Sequence, residues 1–224
     1  MSHDRLERLR QLNRTRFKRH TGIYPETFAE MEIVLDQRER SKKKSGRLPG
    51  RKSLKQEETV FQIIAVDAAE TPCERPTRQQ RRWYSGKKKR HTLKTQVVID
   101  VSTRMILCVA TAFGSMHDLT LFRQSGVQIH PETALIGDAG YQGIRQHHGH
   151  SVTPHKATKK APLTPEQRQQ NRELASTRLR VEHVIRCLKI FRVLKDMYRH
   201  RRRRFSVRVN LIAAVCNRTV AGVA

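Results

Sequence analysis

The sequence predicts an α/β domain built on a mixed sheet, preceded by a small helical segment. Four short apolar runs bounded by turn-forming or polar residues fall between residues 61 and 137. A long stretch of helical periodicity follows them, and the first 37 residues carry a separate apolar stripe at helical spacing. With 224 residues the chain can bury one sizeable core and a smaller accessory piece.

The N-terminal segment, residues 1–37, reads as helical, with Pro25 opening a helix after a Thr-Gly-Ile-Tyr turn and Phe28, Met31 and Leu35 forming one stripe. Residues 38–60 read as a basic linker. From 38 to 55 there are nine Lys or Arg and one acid, with Gly46, Pro49 and Gly50 among them, so a helix there would suffer like-charge repulsion. The α/β domain is expected over 61–220. Its strands are 61–66 (FQIIAV, ending at Asp67), 92–100 (TLKTQVVID), 105–113 (MILCVATAF) and 133–137 (TALIG, ending at Asp138). The second and third are joined by Ser-Thr-Arg as a hairpin. Helices are expected over roughly 117–123, 165–198 and 207–220.

Lys and Arg total 46 against 20 Asp and Glu, a formal balance of +26. Such a chain repels itself when compact and collects polyanions, of which nucleic acid best offsets the cost through counterion release. Charge alone leaves an enzyme acting on nucleic acid and a structural basic protein of ribosomal or nucleoid type equally open. Cys73, Cys108, Cys187 and Cys216 make no Cys-x-x-Cys pair, and no leader-like apolar run follows Met1, so reduced thiols in the cytoplasm are expected. The longest apolar run, 105–113, is less than half of the roughly 20 residues that span a bilayer.

Two aspartates, Asp67 and Asp138, follow apolar strand runs, where loops of an α/β sheet converge on ligands. Either one alone is equally well a turn or capping residue. On the 165–198 helix, Val181, Val184, Ile185, Leu188 and Phe191 share a core-facing arc, and Arg178, Lys189 and Glu182 lie on its shoulder at roughly 60°, 80° and 100° from Val181. Glu182 is then either a carboxylate reaching into a cleft or half of an Arg178–Glu182 surface pair; spacing leaves both open.

Five blocks in order carry a resemblance: IIAVDAAETPCERP (63–76), WYSGKKKRHTLKTQVVID (83–100), GSMHDLTLFRQS (114–125), ALIGDAGYQG (134–143) and RLRVEHVIRCLKIFRVLK (178–195). Through them the chain resembles transposases of the DDE superfamily endonuclease type, found in bacterial insertion elements and related to the Harbinger transposases. The resemblance implies an RNase H-like fold and makes Asp67, Asp138 and Glu182 the catalytic acids. Its Arg-x3-Glu-x6-Lys element is met by Arg178, Glu182 and Lys189, while the Tyr often three residues before that Arg is Ala175 here.

Phosphodiester chemistry needs an activated hydroxyl or water, an in-line phosphate and charge relief at the leaving oxygen. Two Mg²⁺ ions, with Mn²⁺ as substitute, held by three carboxylates meet those needs. On this reading Arg178 and Lys189 contact DNA phosphate. The clusters Lys87, Lys88, Lys89, Arg90 and Arg201, Arg202, Arg203, Arg204 track the duplex backbone. His117 and Asp118 either approach the metal cleft or simply begin a helix. Trp83 and Tyr84 either stack on an unpaired base or pack in the core. Glu70 and Glu74 read as loop acids. The implied partners are double-stranded DNA, the element's terminal inverted repeats and target DNA, handled by a homo-oligomer at synapsis, at the nucleoid and away from membranes.

One departure stands out. Relatives carry a Lys-rich Ser-Gly-Arg segment before a helix-turn-helix-like region and Leu-Pro-Gly-Arg-Lys after it. Here the two are fused as KKKSGRLPGRK, residues 42–52, as an internal deletion would leave them. The competing expectation is therefore an inactive, transposase-derived DNA-binding protein.

Overall fold

A computed structural model describes residue 7 and residues 10–41, 61–158 and 162–221. The chain divides into two compact units, Met1–Thr59 with Ala221–Ala224, and Val60–Val220. In the first, α1 (Arg14–Thr21) is capped by the Asn13 side chain accepting from Arg16 N and stops at Gly22, whose φ of 86° suits a residue without a Cβ. Pro25 opens α2 (Pro25–Ser41), and Phe17 and Phe28 meet edge-to-face at 5.5 Å between the two helices. Helix α2 continues to Ser41, into residues expected in the linker; the fused segment 42–52 and the rest of the linker to 60 lie outside the described residues.

The second unit holds a six-stranded mixed sheet. Its strands are β1 (Ile63–Pro72), β2 (Tyr84–Ser85), β3 (Arg90–Asp100), β4 (Ile106–Phe113), β5 (Ala134–Ile136) and β6 (Ser151–Val152). The order is β4-β3-β1-β5-β6, with the short β2 on the start of β3. Strand β3 runs antiparallel to β1 and β4, while β5 and β6 run parallel to β1. This arrangement is compatible with the RNase H-like fold.

Helices cover both faces. On one, α4 (Asp118–Ser125) seals Ile64, Val66, Val98, Leu135 and Tyr141 through Phe122. On the other, α5 (Pro165–Leu188), α6 (Arg192–Lys195) and α7 (Phe205–Ala221) cover Ala65, Val97 and Ile99 with Val181, Leu188, Leu194, Phe205 and Val209. The four-residue α3 (Gln80–Trp83) precedes β2. Covered on both sides, β3 is buried from Thr92 to Asp100 although Lys94, Thr95 and Gln96 stand in it.

Two expectations need correcting. Strand β1 does not stop before Asp67 but continues to Pro72, because Ala68 to Pro72 pair with Gln96 to Thr92 of β3. The helix expected over 165–198 ends at Leu188. The chain then turns so that Leu194 O accepts from Thr71 Oγ1 at 2.8 Å and Tyr198 N donates to Pro72 O at 2.8 Å, which ties it to the end of β1. At the sheet's outer strand, Asn217 of α7 acts as a surrogate strand: its Oδ1 accepts from Ile106 N and its Nδ2 donates to Ile106 O, both at 2.8 Å. Among the described residues no helix is long and apolar enough to cross a membrane.

Candidate active site

Asp67 sits mid-strand opposite Val97, on the face of β1 that carries Ala65 and Ala69 toward α5. Asp138 directly follows Gly137, just past β5, where its Oδ1 caps a single 3₁₀ turn by accepting from Gly140 N at 2.8 Å. Because β5 lies parallel to β1 with Ile136 beside Ala65, Asp138 comes just past the end of β5 at the level of Asp67 on the neighbouring strand. Glu182 projects from α5, a half-exposed carboxylate 3.9 Å from Arg178.

Asp67 feels the charges of the other two acids. Burial, with help from the Asp138 and Glu182 charges, pushes the Asp67 carboxyl up to about 6 against the Ala68 N–H and the Arg178 guanidinium. The Ala68 N–H donates to Asp67 Oδ1 at 2.7 Å. Arg178 is mostly buried, and its Nε has no hydrogen-bond partner among the described residues. Lys189, the C-cap of α5, is held below the usual lysine range by burial and by Lys88, with Asp67 and Glu70 opposing. Among the described residues no three His, Cys, Asp or Glu side chains are gathered closely enough to hold a metal. The donor set still fits a hard divalent cation: Asp67, Asp138 and Glu182 offer only carboxylate oxygens, and their repulsion is what a cation relieves.

A family profile of the DDE superfamily endonucleases matches residues 66–217, a span that contains all three acids. The chain belongs to that family. It is 35% identical over 272 aligned positions to a protein of Microchaete diplosiphon assigned as the transposase of insertion sequence element IS702, with 97% of this chain and 99% of the relative covered. A second relative, from Streptomyces albus G and assigned to insertion sequence element IS112, is 31% identical over 137 positions, covering 60% of this chain and 50% of its own length.

Other expected residues of this endonuclease divide. Lys87, Lys88, Lys89 and Arg90 are all exposed at the β2–β3 hairpin, and the charge of Lys88 is felt at Lys189. Arg201, Arg203 and Arg204 are exposed after α6, and Arg202 is engaged, its guanidinium 4.9 Å from the Trp83 ring and its Nη2 donating to Glu74 O. Trp83 packs edge-to-face on Phe113 at 4.7 Å, while Tyr84 stays partly exposed against His91. His117 and Asp118 separate: His117 is an exposed N-cap position, whereas Asp118 turns inward onto Lys94. Glu70 is no loop acid, since it stands in β1 and accepts from Thr92 Oγ1 at 2.8 Å; Glu74 lies past the strand beside Arg199. Sequence reading passed over Lys94, Gln96 and Tyr141. The usable signal was a lysine and a glutamine inside a run that ends in Val97, Val98 and Ile99 and reads as a strand.

Proposed function

We propose that this endonuclease is the transposase of an insertion element, cutting double-stranded DNA at terminal inverted repeats and joining the freed ends to target DNA as a homo-oligomer. Asp67, Asp138 and Glu182 would hold two Mg²⁺ ions, with Mn²⁺ able to replace them. The observation that carries this reading is the placement of Asp67 on β1 beside Asp138 just past the parallel β5, inside the segment that matches the family, with the Asp138 and Glu182 charges both felt at Asp67.

When bound, such ions supply an activated oxygen nucleophile and charge relief at the leaving oxygen. The chain's own groups do the rest. Asp67 stands on a buried strand and cannot drift; Asp138 is pinned through the Gly140 N–H; Glu182 rides a helix whose capping box at Thr164 and Gln167 and buried Val181 and Val184 fix its axis. Arg178 brings beside the acids a buried N–H that has no partner among the described residues, suited to a phosphate oxygen. Lys189 and Lys88 extend that positive lining, and the hairpin and Arg201–Arg204 clusters follow the backbone further out.

A second reading rests on the relative's length. The alignment to the IS702 protein occupies 272 positions while this chain has 224 residues, so at least 48 positions of the alignment have no counterpart here. Placed at the fused segment 42–52, that gap removes end recognition and leaves a charge-driven DNA binder. Nicking of DNA bearing candidate element ends, with Mg²⁺ or Mn²⁺, separates the two. Metal-dependent cleavage that vanishes in Glu182→Gln supports the transposase; a folded wild type that binds DNA and never cuts supports the binder.

A further inference from the structure

Near Asp138 lies a further carboxylate, Asp118, with a buried counterion, and neither has a part in the reading above. The Lys94 ammonium donates to Asp118 Oδ1 at 2.7 Å and to Met116 O at 2.6 Å, and the Lys94 side chain is only 9% exposed. A lysine taken out of water in the middle of a sheet is costly unless its charge is matched, and here it is matched twice, by a carboxylate and by a carbonyl. Asp118 opens α4, where the helix N-terminus adds to the hold on its charge.

Its second oxygen points toward the Asp138 loop. A Cβ placed on Gly140 would lie 2.6 Å from Asp118 Oδ2 and 3.0 Å from Asp138 Oδ1. The bare Cα of Gly140 is thus packed between the two carboxylates, while its N–H holds Asp138 Oδ1. The next residue, Tyr141, is fully buried, and the fields of Asp118, Asp67 and Asp138 all reach its hydroxyl.

From this packing we infer that Lys94 is a positioning residue for Asp138, acting through Asp118 and Gly140. The ion pair is a fixed stop. Lys94 locks Asp118, Asp118 sets how near the Gly140 backbone can come, and Gly140 sets where the Asp138 oxygens stand. Neither Lys94 nor Asp118 touches a reacting atom.

This inference rests on the metal reading of Asp67, Asp138 and Glu182. The test is Mn²⁺ binding by calorimetry to the full chain, far below its melting temperature, with melting in EDTA recorded alongside. Two variants perturb the stop differently: Lys94→Met removes the charge at similar volume, and Gly140→Ala wedges the carboxylates apart while leaving every charge in place. Gly140 has no positive φ, so alanine fits its backbone. Both are expected to bind Mn²⁺ at least tenfold more weakly than wild type while remaining folded. A merely structural Lys94 lowers the melting temperature and leaves affinity unchanged. If Lys94→Met does not fold, Gly140→Ala decides alone. Wild-type affinity in whichever variants fold overturns the inference, provided Asp138→Ala has lost binding. Wild type that binds no better than Asp138→Ala overturns the metal reading instead.

Discussion

Replacing Asp67 with asparagine should make the metal-free protein more stable. The carboxyl ordinarily ionises near 3.8 and in the fold near about 6, so folding opposes its charge. Each tenfold change in proton affinity corresponds to about 1.4 kcal/mol, which puts the cost of holding Asp67 ionised on the order of 3 kcal/mol before solvent screening of this half-buried group reduces it. The sign follows from proton counting. Between about pH 4 and 6 the folded state holds a proton that the unfolded state has released, so without metal this group's contribution falls as pH rises and is level above that window. Asparagine keeps the Oδ1 acceptor for the Ala68 N–H and removes the charge. The stability difference between Asp67→Asn and wild type, from urea or thermal unfolding in EDTA, should therefore be near zero at pH 4 and grow to roughly 2–3 kcal/mol by pH 7. At about 2–4 °C per kcal/mol for a chain of this size, that is several degrees. Mn²⁺ should reverse the ranking by stabilising wild type alone. A difference that ignores pH, or a variant less stable at pH 7 in EDTA, would refute the account of Asp67 as a buried acid strained by its neighbours.

Three further outcomes are expected. Changing Arg201, Arg202, Arg203 and Arg204 together to alanine should flatten the salt dependence of duplex binding, measured by fluorescence anisotropy, by about 2.7 in log–log slope: three arginines are free for phosphate while Arg202 is engaged with Trp83 and Glu74. Gly114→Ala would put a Cβ 2.0 Å from Thr92 Oγ1 and 2.9 Å from the carbonyl oxygens of Thr92 and Trp83, two of the three contacts being backbone. Urea unfolding should show a loss of about 3 kcal/mol or more. Asn217→Ala removes both bonds to Ile106 and should cost about 1–3 kcal/mol in the same assay, with no change in Mn²⁺ affinity.

How far the fold was legible depended on where apolar residues mark an element. Strands β3, β4 and β5 and helices α4, α5 and α7 announce themselves by period and by flanking turns. The second half of β1 does not: Ala68, Ala69, Glu70 and Thr71 are small or polar, and only pairing with β3 makes them strand. The two-residue β6 is too short to carry a pattern. The break after Leu188 is not marked by the period, because Phe191 continues it, while the burial of Leu194 and the Thr71 bond to its carbonyl hold the turned chain against β1. At the site, the acids stood out because each ends or flanks an apolar run. Lys94 did not, since a charged residue in a strand reads as solvent-facing until helices are known to cover both faces of the sheet.

The amide of Asn217 at the end of β4 has a consequence for solubility. Among the described residues β4 pairs with β3 alone, and its eight residues, ILCVATAF, contain no charge and no proline. A strand of that composition is an adhesive edge, and natural sheets guard such edges with charge, proline or a covering element. Here the guard at Ile106 is a helix. A copy in which α7 has lifted exposes a template for its neighbours, and only the mutual repulsion of chains at +26 keeps them apart. DNA cancels that repulsion, so partly unfolded copies should coalesce most readily where the protein works.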